Sequence, residues 1–268
     1  MLHNKRFHKE ETEEEESFRY FKKLGQNFLA APEILDEIAE LLPIKGKSVL
    51  EIGAGDGRLT DTLAYAGAKV TALEIDERLI ALLKKRFARR RSVKIVEQSV
   101  LDFEFTPFKY IYGNIPYNLS TPILLKTLES NFEHAVFMVQ AEFGERLIAK
   151  AGTRNYSRLS VTLQSRAKAE IVNFVPKECF YPIPEVDSLL LHITPKKKSE
   201  VVKLDEQLVS ALFQHPNQNL RKALKHSRHL LGEEKFREIV AKIPQELLAK
   251  SAREVTLEEF AMLSGALK

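Results

Sequence analysis

The stretch SVLEIGAGDG, residues 48–57, joins a short apolar run to a turn that contains three glycines. An apolar run of this length predicts a buried strand, and glycines let the backbone turn tightly and let a ligand approach closely. The turn has the spacing Gly-x-Gly-x-Gly, which differs from the dinucleotide fingerprint Gly-x-Gly-x-x-Gly and from the P-loop. The stretch therefore predicts a ligand site at the end of a strand and leaves the ligand open.

Strands and helices alternate along most of the chain. Seven strands are predicted, at Ser48–Ile52, Lys69–Leu73, Val93–Val96, Tyr110–Tyr112, Ala135–Val139, Ile171–Val175 and Leu189–Ile193. One helix is predicted to begin at Pro32, and four more are predicted to cover Leu59–Ala66, Glu77–Arg89, Thr121–Leu128 and Glu142–Ala149. This alternation predicts an α/β fold with a mostly parallel sheet and helices on both of its faces. No helix separates the last two strands, so one of them is expected to run antiparallel.

Shifts in composition divide the chain into three parts. Residues 1–19 are charged and mainly acidic, and we interpret them as a flexible extension. Residues 20–196 contain all of the predicted strands. Residues 197–268 carry helical patterns that are broken near residues 215–217 and at Pro244, and they predict a small all-helical second domain.

The bulk composition excludes some classes of protein. No apolar run is as long as a membrane span, and the polar N-terminus resembles neither a secretory signal nor a transit peptide. The single cysteine, Cys179, excludes an intramolecular disulfide and fits a reducing compartment. We therefore expect a cytoplasmic protein that does not bind membranes.

Basic residues are segregated, although the formal net charge is only +4. The clusters are Lys84, Lys85, Arg86, Arg89, Arg90, Arg91 and Lys94; Lys196 to Lys198; and Arg221, Lys222, Lys225 and Arg228. Segregated basic clusters predict a polyanionic partner. Solvated helix faces are the alternative interpretation.

Glu74 ends the second predicted strand, 21 residues after Gly53. An acid at the end of the second strand can accept hydrogen bonds from both hydroxyls of a ribose. Because no phosphate-binding signature accompanies it, the sequence favours a ribose-bearing ligand without phosphates. S-adenosylmethionine is such a ligand.

The stretch GNIPYN, residues 113–118, follows the fourth predicted strand. The amide of Asn114 can donate and accept hydrogen bonds, Pro116 fixes the backbone, and Tyr117 offers a flat face. Together these groups suit a nucleobase with an exocyclic amine. An ordinary turn between a strand and a loop is the alternative.

Four stretches, in this order and spacing, resemble one known family. They are KLGQNFL (residues 23–29), the Gly53 turn with Glu74, NIPY (residues 114–117) and FYPIP (residues 180–184). The chain resembles the rRNA adenine N6-dimethyltransferases, which comprise KsgA-type enzymes of the small subunit and Erm enzymes of the large subunit. The resemblance covers residues 20 to about 260 and implies a Rossmann-like methyltransferase domain over residues 20–196 and an RNA-binding helical domain over residues 197–268.

The resemblance also implies site residues and a cofactor, S-adenosylmethionine, but no metal. The implied catalytic residues are Asn114, Ile115, Pro116, Tyr117 and Phe180. The implied cofactor-binding residues are Gln26, Asn27, Leu29, Gly53, Gly55, Glu74, Ile75, Ser99, Val100 and Asn114. Asn27 and the Leu29 backbone would hold the methionine end, and Glu74 the ribose.

The implied roles in catalysis agree with the chemistry of adenine. The N6 lone pair is delocalised into the ring and is a poor nucleophile. Hydrogen bonds from N6–H to the Asn114 side chain and a loop carbonyl would favour a more electron-rich nitrogen in the transition state. Tyr117 and Phe180 would stack on the two faces of a flipped base.

The chain departs from the family pattern after the third strand. The family usually carries an Asp there, which accepts a hydrogen bond from the adenine amine of the cofactor, whereas this chain has Ser99. Ser can accept a hydrogen bond but carries no charge, so we expect weaker cofactor binding. Asp102 lies three residues later and would need a shift of the loop to substitute.

Three stretches resemble the archaeal and eukaryotic branch of the small-subunit enzymes: RNYSRLS (residues 154–160), FQH (residues 213–215) and RKAL (residues 221–224). They imply a monomer that acts on two adjacent adenines in a hairpin loop near the 3′ end of the rRNA of immature small subunits. Three alternatives are an Erm-like enzyme, a glutamine or DNA-adenine methyltransferase with an Asn/Asp-Pro-Pro-Tyr/Phe loop, and a ribosome-assembly or transcription factor that has lost turnover.

Overall fold

The computed structural model describes residues 27–265, with only the backbone of Lys235. These residues form two compact units. The first contains residues 27–141 and Ile171–His192, and the second contains Glu142–Glu170 and residues 193–265. The predictions for the acidic extension and for Gln26 lie outside the described residues.

Nine strands form two sheets. Their bounds are β1 Phe28–Leu29, β2 Ser48–Ile52, β3 Lys69–Glu74, β4 Val93–Glu97, β5 Tyr110–Asn114, β6 His134–Gln140, β7 Ala167–Val175, β8 Phe180–Tyr181 and β9 Ser188–Pro195, all within residues 27–265. The larger sheet has the order β4-β3-β2-β5-β6-β9-β7. Its neighbours from β4 to β6 all pair in parallel. The prediction of a seven-stranded, mostly parallel sheet is therefore confirmed.

Helices follow most strands of the larger sheet. The first unit contains α1 Pro32–Glu40, α2 Arg58–Tyr65, α3 Glu77–Arg86 and α4 Ser120–Glu129. Pro32 occupies the first turn of α1, where its missing N–H costs nothing, and the helix buries Ile34, Leu35 and Ile38. The side chain of Asp76 caps α3 by accepting from the backbone N–H of Arg78 at 3.0 Å. These local signals explain why the helix starts lie within one residue of the predictions.

Strands β2 and β5 lie at the centre of the sheet and are nearly all buried. Val49, Leu50 and Ile111 are fully inaccessible to solvent. Parallel strands covered on both faces are continuously apolar, and this pattern distinguishes them from half-exposed strands. Ile52, the last residue of β2, is paired in register with Gly113, the next-to-last residue of β5, so the glycine turn after β2 and the loop after β5 begin close together.

The smaller sheet is a pairing that the sequence analysis missed. Strands β1 and β8 run antiparallel, with Phe28 opposite Tyr181 and Leu29 opposite Phe180. The N–H of Ala30 extends the pairing by donating to the carbonyl of Cys179 at 2.7 Å. Two-residue strands give no period in the sequence, so only the fold reveals this contact.

The second unit is mainly helical. Its helices are α5 Ala141–Ile148, most of which belongs to this unit, α6 Arg158–Arg166, α7 Glu206–Phe213, α8 Leu220–His226, α9 Arg228–Leu231, α10 Glu233–Lys242, α11 Gln245–Ala249 and α12 Leu257–Gly265. The breaks after α7 and after α10 coincide with residues 215–217 and Pro244, as predicted. Helix α6 was not predicted. In the part of the chain that the structure describes, no helix is long and apolar enough to cross a bilayer.

Gly113, in strand β5 of the larger sheet, has no room for a side chain. A Cβ atom there would lie 2.7 Å from the backbone oxygen of Ile52 and 3.0 Å from Cδ1 of Ile115. We expect Gly113→Ala to lower the free energy of unfolding by about 1–3 kcal/mol, because the neighbouring strand must shift. Gly265→Ala is the matched control, since a Cβ atom there meets nothing within 4 Å. Urea denaturation measures both, and an unchanged midpoint for Gly113→Ala would contradict the packing argument.

Candidate active site

A cavity of about 280 Å³ lies where β2, β3, β4 and β5 end. Its lining includes most of the residues that the sequence analysis selected: Asn27, Gly53, Gly55, Glu74, Ile75, Ser99, Val100, Asn114, Ile115, Pro116 and Tyr117. It also includes residues that were not predicted, among them Phe28, Leu79, Gln98 and Asn118. Parallel strands bring their carboxyl ends to one edge of the sheet, so residues far apart in sequence meet there.

The carboxylate of Glu74 is fixed by three backbone N–H groups. Oε2 accepts from Gly55 at 2.9 Å, and Oε1 accepts from Ile75 at 2.8 Å and from Asp76 at 3.0 Å. A carboxylate offers about four lone-pair sites, so one acceptor direction remains for a ligand. Glu74 thus holds the glycine turn and still presents an acceptor to the cavity.

Gly55 allows the turn to pass close to strand β1. Its φ of +58° is in the left-handed region, and a Cβ atom there would lie 3.0 Å from two carbon atoms of the Phe28 ring. Any side chain would therefore be strained in this backbone conformation and crowded by the ring. The glycine turn and the Phe28 ring therefore pack closely together in the lining of the cavity.

The amide of Asn114 is held in one orientation. Its Nδ2 atom donates to the backbone carbonyl of Asn27 at 2.8 Å. That bond uses one of the two N–H donors of the amide, and the Oδ1 atom can accept a hydrogen bond from a ligand. The next residue, Ile115, is fixed by its backbone N–H, which donates to the carbonyl of Met138 at 2.9 Å.

Tyr117 begins a short 3₁₀ turn, Tyr117–Leu119, that follows the NIPY loop. Its hydroxyl lies 3.4 Å from the hydroxyl of Ser188, which is fully buried at the start of β9. The contact restrains the ring of Tyr117 at the wall of the cavity. It also connects the NIPY loop to the loop between β8 and β9.

Two predicted residues lie outside the main cavity. The Phe180 side chain is 2 % exposed and packs in the core of the first unit. Leu29 is also buried and lines a smaller cavity of about 40 Å³ behind the glycine turn, and its carbonyl accepts from Nη1 of Arg58 at 3.4 Å. The structure therefore does not bring the ring of Phe180 to the Tyr117 wall, and its role against a base stays a prediction.

The loop after β4 presents two neutral polar side chains to the cavity. The hydroxyl of Ser99 accepts from the backbone N–H of Leu101 at 3.2 Å. Gln98, which was not predicted, also lines the cavity, and Asp102 does not. Adjacent residues on a loop give no periodic signal, so the contribution of Gln98 could only be found from the fold.

Glu51 is a buried acid in the middle of β2. It is 1 % exposed, and its Oε2 atom makes no hydrogen bond to any residue in the range 27–265. Its pKa is raised to about 8, mainly by burial and to a smaller extent by the charges of Glu74 and Asp56. Glu51 lines the smaller cavity behind the glycine turn. The sequence analysis did not select it, since it looked like an ordinary residue of an apolar strand.

The first basic cluster is partly neutralised by acids from other elements. Lys84 pairs with Glu97 at 3.2 Å, and Arg86 and Arg90 both pair with Asp61. Other members of the cluster make no ion pair with a residue that the structure describes: Lys85, Arg89, Arg91 and Lys94. The positive surface of the first unit is therefore weaker than the sequence alone indicates.

The sheet is mostly parallel, and the ends of its strands carry a glycine turn, an acid placed to bind a ribose, and an Asn-x-Pro-Tyr loop. Together these features define a Rossmann-like methyltransferase. Comparison with known proteins identifies the family. The model of the ribosomal RNA adenine dimethylase family matches residues 17–264. The chain belongs to this family and is an rRNA methyltransferase.

Relatives and solved structures agree. The chain is 40% identical to the probable ribosomal RNA small subunit methyltransferase A of Pyrococcus furiosus, over 91% of this chain and 92% of that protein. A similarly named protein of Thermococcus sibiricus is 42% identical, over 82% of this chain and 83% of that protein. A dimethyladenosine transferase from Plasmodium falciparum has a TM-score of 0.76 at 28% identity, with 88% and 95% of the two chains covered. The 23S rRNA methyltransferase ErmE has a TM-score of 0.65 at 26% identity, with 90% and 99% covered.

The buried acid Glu51 predicts a pH-dependent stability. The pKa of Glu51 has its ordinary value of 4.5 in the unfolded chain and is about 8 in the fold. At a pH between these values, the carboxyl group is ionised in the unfolded chain and protonated in the folded chain. Folding stability therefore falls as the pH rises through this window, by up to about 1.4 kcal/mol per pH unit from this group. We expect Glu51→Gln to remove that slope, since its side chain does not titrate.

Urea unfolding of both proteins from about pH 5 to about pH 9.5, a range that spans the pKa of about 8, measures the effect. The free energy of unfolding of Glu51→Gln, relative to that of the parent, should increase with pH and level off above about pH 8. Glu40→Gln, an exposed acid at the end of α1, is the control and should give a constant difference. Parallel stability curves for Glu51→Gln and the parent would show that Glu51 is ionised in the fold.

Proposed function

We propose that this protein transfers methyl groups from S-adenosylmethionine to N6 of two adjacent adenines near the 3′ end of small-subunit rRNA. The observation that carries the proposal is the Asn114 amide, held by the Asn27 carbonyl with its oxygen as acceptor, in the same cavity as the Glu74 carboxylate. An acceptor for an amine and an acceptor for a ribose are the two contacts that this reaction requires at one site.

The cavity fits the proposed cofactor. Glu74 has one acceptor direction left for a ribose hydroxyl, and the described residues of the cavity lining include no Lys or Arg that would bind a phosphate. Ile75 and Val100 offer apolar contacts, and Ser99 and Gln98 offer neutral polar groups for an adenine amine. When bound, S-adenosylmethionine would supply an electrophilic sulfonium methyl group.

The chain's own residues would activate the target amine. Oδ1 of Asn114 would accept a hydrogen bond from N6–H, which favours a nitrogen whose lone pair is less delocalised into the ring. Such a bond strengthens as positive charge develops on the nitrogen, so it lowers the barrier. Tyr117, restrained by Ser188, would stack on the flipped base and exclude water from one face.

Basic side chains of the helical unit would bind the RNA backbone. Helix α8 buries Leu220, Ala223 and Leu224 and exposes Arg221 and Lys222 on the opposite side. Exposed cations on a well-packed helix can neutralise phosphates without distorting the core. This supports the proposal that the predicted domain of residues 197–268 contacts rRNA in immature small subunits. We also propose that the protein acts as a cytoplasmic monomer.

The choice of the small subunit rests on relatives. Several archaeal relatives are named probable small subunit methyltransferases, including the P. furiosus protein. The fold is also similar to that of ErmE, a 23S rRNA methyltransferase, so an Erm-like activity is the second candidate.

Mapping of labelled methyl groups tests the proposal. Immature small subunits and large-subunit rRNA are each incubated with the protein and radiolabelled S-adenosylmethionine, and the labelled adenines are mapped. We expect label on two adjacent adenines near the 3′ end of the small-subunit rRNA. Asn114→Ala should reduce the rate at least about a hundredfold, the loss typical of one transition-state hydrogen bond. Label only on large-subunit RNA would favour the Erm-like activity, and label on neither RNA would overturn the enzyme assignment.

Ser99 supplies a second prediction. We expect Ser99→Asp to tighten S-adenosylmethionine binding about fivefold, because a charged acceptor binds an amine more strongly than a hydroxyl does. The carboxylate can also accept from the N–H of Leu101, so the turn is preserved. Ser99→Asn is the neutral control and should bind no more tightly than the parent. Calorimetry showing equal or weaker binding for Ser99→Asp would refute the prediction.

A further inference from the structure

The loop between β8 and β9 exposes apolar side chains beside the cavity. Tyr181, Ile183 and Val186 are 44 %, 55 % and 42 % exposed, and we call them the apolar lip. The two prolines between them are buried, and Glu185 is the only charged side chain among residues 181–186. Three large apolar groups within six residues are more than scattered surface residues, which occur singly on soluble proteins.

Both ends of the lip are tied to residues that line the cavity. Tyr181 pairs with Phe28, which is part of the lining. At the other end, Ser188 contacts the hydroxyl of Tyr117 at 3.4 Å. The chain on both sides of the lip is therefore connected to residues of the cavity wall.

The loop is also held by the residue just before Ser188. Oδ1 of Asp187 accepts from the backbone N–H of Lys177 at 3.0 Å, and its carbonyl accepts from the N–H of Ala141 at 3.0 Å. Exposed apolar groups on a restrained backbone lose little conformational freedom when a ligand binds. This is the property of a preformed contact surface.

We propose that the apolar lip is a stacking surface for the nucleotide next to the target adenine, with the Tyr181 ring as its main contact. The inference rests on the proposed function, since it requires an RNA adenine to enter the cavity. Extrusion of an adenine breaks its stacking on the neighbouring base and exposes a flat apolar face. Aromatic side chains bind such faces in single-stranded RNA.

The charges around the lip favour a base over a phosphate. Glu185, which lies between Ile183 and Val186, would repel the RNA backbone, and residues 181–186 contain no cation. The lip would thus recognise a single-stranded neighbour by stacking, while basic residues elsewhere bind phosphates. It would select RNA in which the residue beside the target is unpaired.

Tyr181→Ala tests the proposal, with Tyr181→Phe as the conservative variant. We expect kcat/KM for the rRNA substrate to fall between about fivefold and a hundredfold in Tyr181→Ala, the range found for loss of one base–aromatic stack. Tyr181→Phe should restore it, and the Kd for S-adenosylmethionine should be unchanged in both. Tyr65→Ala is the matched control, because Tyr65 is 88 % exposed at the end of α2 and does not line the cavity.

A binding readout separates this inference from the proposed function. A hairpin RNA carrying 2-aminopurine beside the target adenine is titrated with each variant in the absence of turnover. Quenching by the parent and by Tyr181→Phe, but not by Tyr181→Ala, supports the lip whether or not methyl transfer follows. Methylation by the parent with equal kcat/KM and equal quenching in Tyr181→Ala would overturn the inference and leave the proposed function intact.

Two further outcomes would also overturn it. Loss of S-adenosylmethionine affinity in Tyr181→Ala, in proportion to the loss of rate, would show that Tyr181 only supports the β1–β8 pairing. Self-association of the parent that Tyr181→Ala abolishes, measured by sedimentation, would show that the lip is covered by a second copy of the chain.

Discussion

The hydrogen bond from the N–H of Gly55 to the carboxylate of Glu74 connects the ends of two neighbouring strands. A glycine turn has few conformational restraints of its own, and a partly buried carboxylate is unstable without donors. The hydrogen bond restrains the turn and supplies the carboxylate with a donor. Since Oε1 is held by two more backbone N–H groups, the turn has a fixed position before any ligand arrives. The cavity of this rRNA adenine dimethylase family member is thus built from backbone amides as much as from side chains.

A second long-range hydrogen bond positions the NIPY loop. Asn114 and Asn27 are 87 residues apart in sequence, and their contact depends on the two-residue strand β1. That strand is held in turn by β8, which leads into the loop toward Ser188 and Tyr117. The loops after β5 and β8 are therefore connected through β1 by backbone pairing and hydrogen bonds.

The sequence predicted most of the sheet, because apolar runs and turn residues are local signals. Strand β2 was placed with its observed limits, and the two helical breaks of the second unit followed from proline. What it missed depends on contacts distant in sequence. Phe180 was selected through the family resemblance, and only the fold reveals that its ring is buried in the core where it pairs opposite Leu29. Glu51 was overlooked because no local pattern reveals that an acid in an apolar strand will be deeply buried.

The bond that orients Asn114 ends on a carbonyl oxygen of the main chain. The side chain at position 27 does not make this contact, so the orientation of the amide depends on the path of the backbone through residues 27–29. A substitution at position 27 that kept this path would remove a side chain from the cavity lining and still leave the amide in place. The same reasoning applies to any enzyme in which a main-chain carbonyl orients a functional side chain.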